Sequence, residues 1–225
     1  MKALVAVPRR ADGGRRDQVW EWVRDRWATE RPGWDIVEGH HEHGPFNRAA
    51  ALNDAASHLA DHDVLIIADA DSFVGADQLT RAIAKAVEHQ QVTFAYDQFA
   101  YLNRHMSDRI MAGFVGAWEP GVEWVLPGTC SSMVVVPAAL WLELGGADEG
   151  FVGWGGEDIA ISLALQTFGG GMQREPGYVW HLWHAPAPHT HDDVWPDRMR
   201  LYEAVAYDRA AMRELVDRLR AEVHG

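Results

Sequence analysis

The chain has 225 residues, 48% of them hydrophobic and 24% charged, with a formal net charge of −13 at pH 7. This balance excludes wholesale disorder and matches a folded domain, one able to bury roughly 70% of its unfolded surface without disulfide staples. The negative charge repels polyphosphate backbones and disfavours nucleic acid as a partner, so a small anionic substrate would need a local cationic feature such as a bound metal.

In chain order, the apolar run from Lys2 to Pro8 predicts a buried strand. Arg15 to Thr29 carries Val19, Trp20, Val23 and Trp27 at helical spacing. Trp34 to Glu38 reads as a second strand, Phe46 to Leu59 as a second helix, and Val64 to Ala68 as the most continuous apolar strand. This β-α-β-α-β alternation predicts a parallel sheet covered by helices. Ala76 to Glu88 reads as a helix and Val92 to Tyr96 as a strand. The stretch from Asp97 to Pro127 shows no period and reads as an excursion over the site, with Tyr96, Tyr101, Trp118 and Trp124 as sugar-stacking or lid aromatics or as packed anchors. Thr129 to Pro137 reads as a strand, Ala138 to Leu144 and Ile159 to Phe168 as helices, and Tyr178 to Trp183 as a strand. Pro196 to Val223 reads as one long helix with Leu201, Val205, Met212, Leu215 and Leu219 inward.

The lone cysteine, Cys130, has no intramolecular partner, which points to a reducing compartment. Met1 to Val7 lacks the features of a signal peptide, and no stretch reaches the ~20 apolar residues that span a bilayer. The expectation is a soluble, cytoplasmic protein of one domain.

Four constellations could carry chemistry. Asp69-Ala70-Asp71 follows the apolar strand at its carboxyl end, where open α/β sheets bind ligands. Carboxylates at i and i+2 of a strand would project together, and their repulsion is relieved by Mg²⁺ or Mn²⁺ carrying a diphosphate. The alternative is a polar strand end. Trp154-Gly155-Gly156-Glu157-Asp158 runs into a helix; glycines let a ligand approach the backbone and Trp154 offers a flat face for a sugar or base. Two acids in a first helical turn are also favoured by the helix dipole alone. His181 and His184 are possible imidazole ligands to complete a site begun at Asp71. The run His189-Thr190-His191-Asp192-Asp193 could mimic a metal site but reads as a solvated loop. Arg48 and Asn53 fall near one face of the second helix, where an arginine could neutralise the carboxylates or hold a phosphate. Glycine-rich dinucleotide, P-loop and Gly-x-Ser-x-Gly motifs are absent from the sequence.

Taken in order, Phe46-Asn47-Arg48-Ala49 with Leu52-Asn53, Asp69-Ala70-Asp71, Gly128-Thr129-Cys130-Ser131-Ser132, Gly145-Gly146, Trp154 to Asp158 and His181-Leu182-Trp183-His184 resemble the GT-A glycosyltransferases. The likeness is to the β-1,4-galactosyltransferase group and to bacterial family 2 enzymes related to chondroitin polymerase, and it covers roughly residues 3 to 185. The resemblance implies a single α/β domain with a mostly parallel central sheet flanked by helices. Residues 1–97 would bind the nucleotide sugar, residues 98–185 would bind the acceptor, and residues 186–225 would form a C-terminal loop and helix.

It implies Mn²⁺ (or Mg²⁺) on Asp71 and His184, with His181 at a ligand position where galactosyltransferases carry methionine. Asp69 and Ala70 would lie near the donor ribose, Pro8, Arg10 and Glu38 would line the nucleotide pocket, and Arg48 and Asn53 would sit on the donor side. Trp154, Gly155 and Gly156 would meet the acceptor sugar, Asp158 would be the catalytic base and Glu157 would hold a sugar. The implied reaction is inverting transfer from a nucleotide sugar, a UDP-sugar expected, to a hydroxyl of a glycan, protein or small-molecule acceptor. Alternatives are a retaining enzyme of the same fold, a sugar nucleotidyltransferase and a non-catalytic carbohydrate-binding protein.

Overall fold

The computed structural model describes residues 1–153, 155–186 and 195–224, the last residue by its backbone alone. The first strand, β1 (Ala3–Pro8), is buried along its whole length, as expected of a strand with both faces covered. It pairs in parallel with β2 (Asp35–Gly39) and β3 (Val64–Ile67). The intervening helices, α1 (Arg15–Glu30) and α2 (Arg48–Ala56), bury the faces that their spacing predicts, Val19, Trp20, Val23 and Trp27 on α1 and Ala49, Leu52 and Ala56 on α2.

After β3 the chain makes a short strand, β4 (Ser72–Phe73), the strongly amphipathic helix α3 (Ala76–His89), and β5 (Val92–Phe94). Next come β6 (Gln98–Leu102), α4 (Arg104–Met111), a 3-10 turn and β7 (Val122–Pro127). Then β8 (Val134–Pro137), α5 (Ala138–Leu144), α6 (Glu157–Gly169), β9 (Met172–Arg174) and β10 (Tyr178–His181) precede α7 (Trp195–Ala204) and α8 (Arg209–His224).

Two sheets result. The larger has the order β2-β1-β3-β8-β5-β9, and the smaller β4-β10-β6-β7. The larger sheet is parallel at β1–β2, β1–β3 and β5–β9, but β8 runs antiparallel to both of its neighbours. The mostly parallel expectation holds with that one reversed strand at its centre. The stretch from Asp97 to Pro127 departs from its reading as an excursion: it supplies two strands and a helix. Its period is hidden because β7 is an edge strand with nearly every residue exposed, so no buried face alternates with a wet one.

The C-terminal segment also differs from its reading as one helix. It breaks between α7 and α8, where Tyr207 takes φ 68°, a left-handed value that ends a helix. Asp208 then caps the next one, its Oδ1 accepting from the backbone N–H of Ala210 and of Ala211. Leu201 consequently points outward and is exposed, while Met212, Leu215 and Leu219 are buried as expected.

Candidate active site

The end of β3 and the end of β10 meet at the edge between the two sheets. Strand β3 stops at Ile67, so Asp69 and Asp71 lie in the turn beyond it and not along a strand. The expected i, i+2 projection to one side does not occur: the two carboxylates turn to different partners. Asp71 is fixed by its own backbone carbonyl, which accepts from the Leu182 N–H at 2.8 Å. That bond brings His181 and His184 around the carboxylate. His184 Nε2 lies 2.9 Å from Asp71 Oδ2 and His181 Nε2 lies 3.6 Å from Oδ1. One ligand atom from each of the three lies within 4.8 Å of the others.

Burial acts to raise the Asp71 carboxyl, but His181, His184 and Arg16 outweigh it and hold it at about 2. Burial pushes His181 down despite Asp71, which favours the neutral imidazole. For His184 burial is outweighed by the hydrogen bond and charge of Asp71, which raise it. An ionised carboxylate and two imidazoles converging on one point form a donor set that fits a divalent cation such as Mn²⁺, because such ligands must be deprotonated to bind. Arg16 Nε lies 3.2 Å from His184 Nδ1. No local pattern in α1 marks Arg16, so sequence reading missed it.

The second cluster centres on Arg48, placed at the first turn of α2. Asn47 caps that helix by accepting from Ala50 N–H and donates its own amide to the Glu149 carbonyl, which ties α2 to the segment before α6. Arg48 donates to Asp69 Oδ1 at 2.7 Å and to Asp158 Oδ1 at 2.5 Å. The expected neutralisation of carboxylates by Arg48 is therefore what its side chain does in this structure. Burial would lower its guanidinium, but Asp158, Asp69 and Glu157 drive it upward. Asp158 is pushed up to about 7, first by burial and then by Glu157 and Asp69, against the pull of Arg48. Glu157 is buried in the first turn of α6.

The glycines before α6 set its entry. Gly155 and Gly156 have φ of 117° and 84°, and a Cβ at Gly156 would stand 2.9 Å from Phe151 and 3.1 Å from Trp195. The turn into the acidic pair therefore requires glycine. Helix α7 covers it, anchored by Arg198 donating twice to Asp148, at 2.6 and 2.7 Å. Trp154 lies outside the described residues, as does the run His189 to Asp193.

Pro8 is buried at the end of β1. Glu38 is held by Arg9 at 2.6 Å, not by Arg10; Arg10 donates instead to the carbonyls of His41 and Gly44. Asn53 does not join the acidic clusters, since its side-chain amide pairs with the Ala147 backbone and with Glu149. Ala70 sits half-buried in the turn between the two aspartates. A residue with no assigned role, Ser132, proves central. Its buried hydroxyl lies 2.5 Å from Ser72 Oγ and accepts from the Asp69 N–H at 3.4 Å. Both Ser132 and Met133 have positive φ, 57° and 44°, a costly conformation for side-chain-bearing residues.

This mixed α/β architecture, a helix-flanked sheet with a smaller second sheet and an acidic turn after β3, matches the GT-A fold of solved glycosyltransferase structures. No protein-family model matches the sequence, and no curated protein matches it. Among solved structures, the catalytic domain of Drosophila β1,4-galactosyltransferase 7 in complex with xylobiose is similar, with TM-score 0.57 and 15% identity over 88% of this chain and 79% of that one. A mutant of that enzyme in complex with manganese, UDP-Gal and xylobiose gives TM-score 0.56 and 13% identity over 89% of this chain and 80% of that one. S. aureus TarS gives TM-score 0.59 and 13% identity over 99% of this chain and 42% of that one. GalNAc-T7 with UDP, GalNAc and Mn²⁺ gives TM-score 0.55 and 14% identity over 96% of this chain and 54% of that one. At these identities the likeness is one of fold. Among the described residues no helix is long and apolar enough to cross a membrane.

Proposed function

We propose that this chain is a metal-dependent, inverting glycosyltransferase that moves a sugar from a nucleotide sugar, a UDP-sugar first, to an acceptor hydroxyl. The observation that carries the reading is the pairing of a cation-ready trio, Asp71, His181 and His184, with a carboxylate of raised pKa, Asp158, in one fold shared with such enzymes. Mn²⁺ or Mg²⁺ held on the trio would act as a Lewis acid on the leaving diphosphate.

The chain's own residues supply the rest. Asp158 takes the proton of the acceptor hydroxyl as that oxygen bonds to the anomeric carbon, and the sugar–phosphate bond breaks with its electron pair passing to the diphosphate. One displacement with one base inverts the anomeric centre. Arg48 keeps Asp158 and Asp69 in place from one helix terminus. Glu157 sits beside Asp158 to hold a sugar hydroxyl, and Gly155 and Gly156 make the tight turn that delivers both acids to the acceptor side, where Trp154 is the proposed sugar-stacking residue. Pro8, Arg10 and Glu38 line the nucleotide side, with Asp69 and Ala70 near the ribose. Residues 1–97 serve the donor and residues 98–185 the acceptor, and Trp195 and Met199 of α7 brace the glycine turn.

Incubation of the protein with UDP-sugars, Mn²⁺ and a panel of saccharide acceptors tests this reading by UDP release and by NMR of the product anomer. Metal-dependent UDP release with an inverted product is expected. A retained anomer overturns the mechanism, and pyrophosphate release from a nucleoside triphosphate and a sugar phosphate would identify a nucleotidyltransferase instead.

A further inference from the structure

The smaller sheet carries one rung of side chains that starts at the candidate metal centre and ends in solvent. Ser72 pairs with His181, His181 with Tyr101, and Tyr101 with Trp124, across β4, β10, β6 and β7 in turn. Directly opposed residues on neighbouring strands point to the same face, so His181, Tyr101 and Trp124 form a row. Their rings confirm it: His181 and Tyr101 lie 4.8 Å apart between centroids, and Tyr101 and Trp124 lie 4.8 Å apart at 29°, stacked. Phe99, 4.9 Å from Tyr101, supports the row from the same strand. Just past the Tyr101–Trp124 pair the ladder register shifts, a bulge of the kind that re-aims side chains beside a site.

The outer end of the row is open. Trp124 is 50% exposed although Tyr101 covers one of its faces, which leaves the other indole face to solvent. A large aromatic held flat by a stacked neighbour costs little further ordering when a ligand lies on it. From His181 to Trp124 is two strand spacings, roughly 10 Å, or about two linked sugar rings.

We propose that Trp124 is the platform of an outer acceptor subsite, and that the acceptor is a neutral glycan of at least two rings. The ring bearing the attacking hydroxyl would sit between the metal trio and Asp158, and the next ring would stack on Trp124. This rests on the glycosyltransferase reading above and names the acceptor class for it. A sugar ring suits the platform because its C–H face is apolar and its hydroxyl edges stay wet. Neutral sugars are favoured because the chain carries a net charge of −13, which repels acidic ones. A nucleotide base on this platform would instead make UDP binding depend on Trp124, which the variants below test.

The test titrates three saccharide pairs (xylose and xylobiose, N-acetylglucosamine and chitobiose, glucose and cellobiose) into the full chain with Mn²⁺ and UDP present, by calorimetry. At least one disaccharide should bind roughly three- to tenfold more tightly than its monosaccharide, the range expected of one aromatic stack. Trp124→Ala should erase that preference, as should Trp124→Leu, which keeps an apolar strand residue should the alanine variant fold poorly. Trp124→Phe should retain most of it, and UDP binding should be unchanged in all three. UDP binding with no disaccharide preference in the wild type, or an equal preference in Trp124→Leu, overturns the subsite alone. Absence of Mn²⁺-dependent UDP binding in the wild type brings down the glycosyltransferase reading and the subsite with it. A dimer by sedimentation that Trp124→Leu converts to monomer would make this face a contact between copies and also overturn the subsite.

Discussion

Asp71 and Asp158 are both carboxylates near the carboxyl end of the larger sheet, yet their surroundings push them in opposite directions. Asp71 sits between two imidazoles and is held at about 2, while Asp158 shares Arg48 with Asp69, adjoins Glu157 and is raised to about 7. One group stays ionised under all ordinary conditions, as a cation ligand must. The other gains and loses its proton near neutrality, as a general base must. Such separation of like groups by environment is how one fold assigns different roles to two acids. The division is drawn by the turn after β3: Asp69 faces Arg48, which also holds Asp158, and Asp71, two residues on, faces His181 and His184.

The largest effect should come from removing the proposed base. Asp158→Asn keeps a hydrogen-bond acceptor for Arg48 and should lower the transfer rate by about 10²- to 10⁴-fold, with Mn²⁺-dependent UDP binding intact in calorimetry. Near-full activity would remove Asp158 from the chemistry. On the other side, His184→Ala should weaken Mn²⁺ affinity by no less than the about 10- to 100-fold that loss of a ligand's supporting partner costs, measured by titration of the free metal without any sugar donor. His181→Ala should act in the same direction, and an unchanged affinity would show that only Asp71 and His184 hold the ion.

The pH profile sharpens the comparison. Asp158 has a folded pKa above its ordinary value near 3.8, so its ionised form is disfavoured in the fold. The stability it contributes is complete below that ordinary value and is lost as pH rises through about 7. Activity runs the other way: the limiting rate should fall about tenfold per unit as pH drops below about 7, because the protonated carboxyl accepts nothing. Asp71 has a lowered pKa, and its contribution to stability is lost only as pH falls toward about 2. A rate that stays flat from pH 8 to well below 7 would contradict the assignment of Asp158.

The smallest effect concerns the support beneath both aspartates. Ser132→Ala leaves Ser72 and the Asp69 N–H short of a partner and should cost about 1–3 kcal/mol. Ser132→Gly loses the same bonds but escapes the left-handed penalty of about 1–2 kcal/mol. Urea denaturation should therefore rank glycine above alanine at this position, and the reverse order would show that the turn carries no backbone cost.

Much of this was readable in the chain. The apolar runs of β1 and β3 and the spacing of α1 and α2 specify half of the larger sheet, because each buries a face with a clean period. The types and order of Asp71, Glu157, Asp158, His181 and His184 mark the candidate site. What was not readable depends on contacts distant in sequence. Nothing local says that Asp69 and Asp71 diverge, since that follows from β3 ending at Ile67 and from Leu182 binding the Asp71 carbonyl. Asn53 carries a donor-side motif yet its amide serves the loop at Ala147. The exposed edge strand β7 has no period to find. The break at Tyr207 did leave a trace, since Asp208 followed by Arg-Ala-Ala-Met reads as a helix cap, but the long apolar spacing around it masks the signal.

The central claim is that the trio of Asp71, His181 and His184 loads a cation that in turn holds a nucleotide diphosphate. Thermal unfolding of the wild type and of Asp71→Ala with UDP, with Mn²⁺, with both, and with both plus a chelator tests it most directly. UDP and Mn²⁺ together should raise the unfolding temperature of the wild type, with ~2.7 kcal/mol of stabilisation at about 100 times the dissociation constant. The chelator and the Asp71→Ala substitution should each abolish that rise. A UDP-induced shift that survives both, or no shift with any combination, would contradict the account.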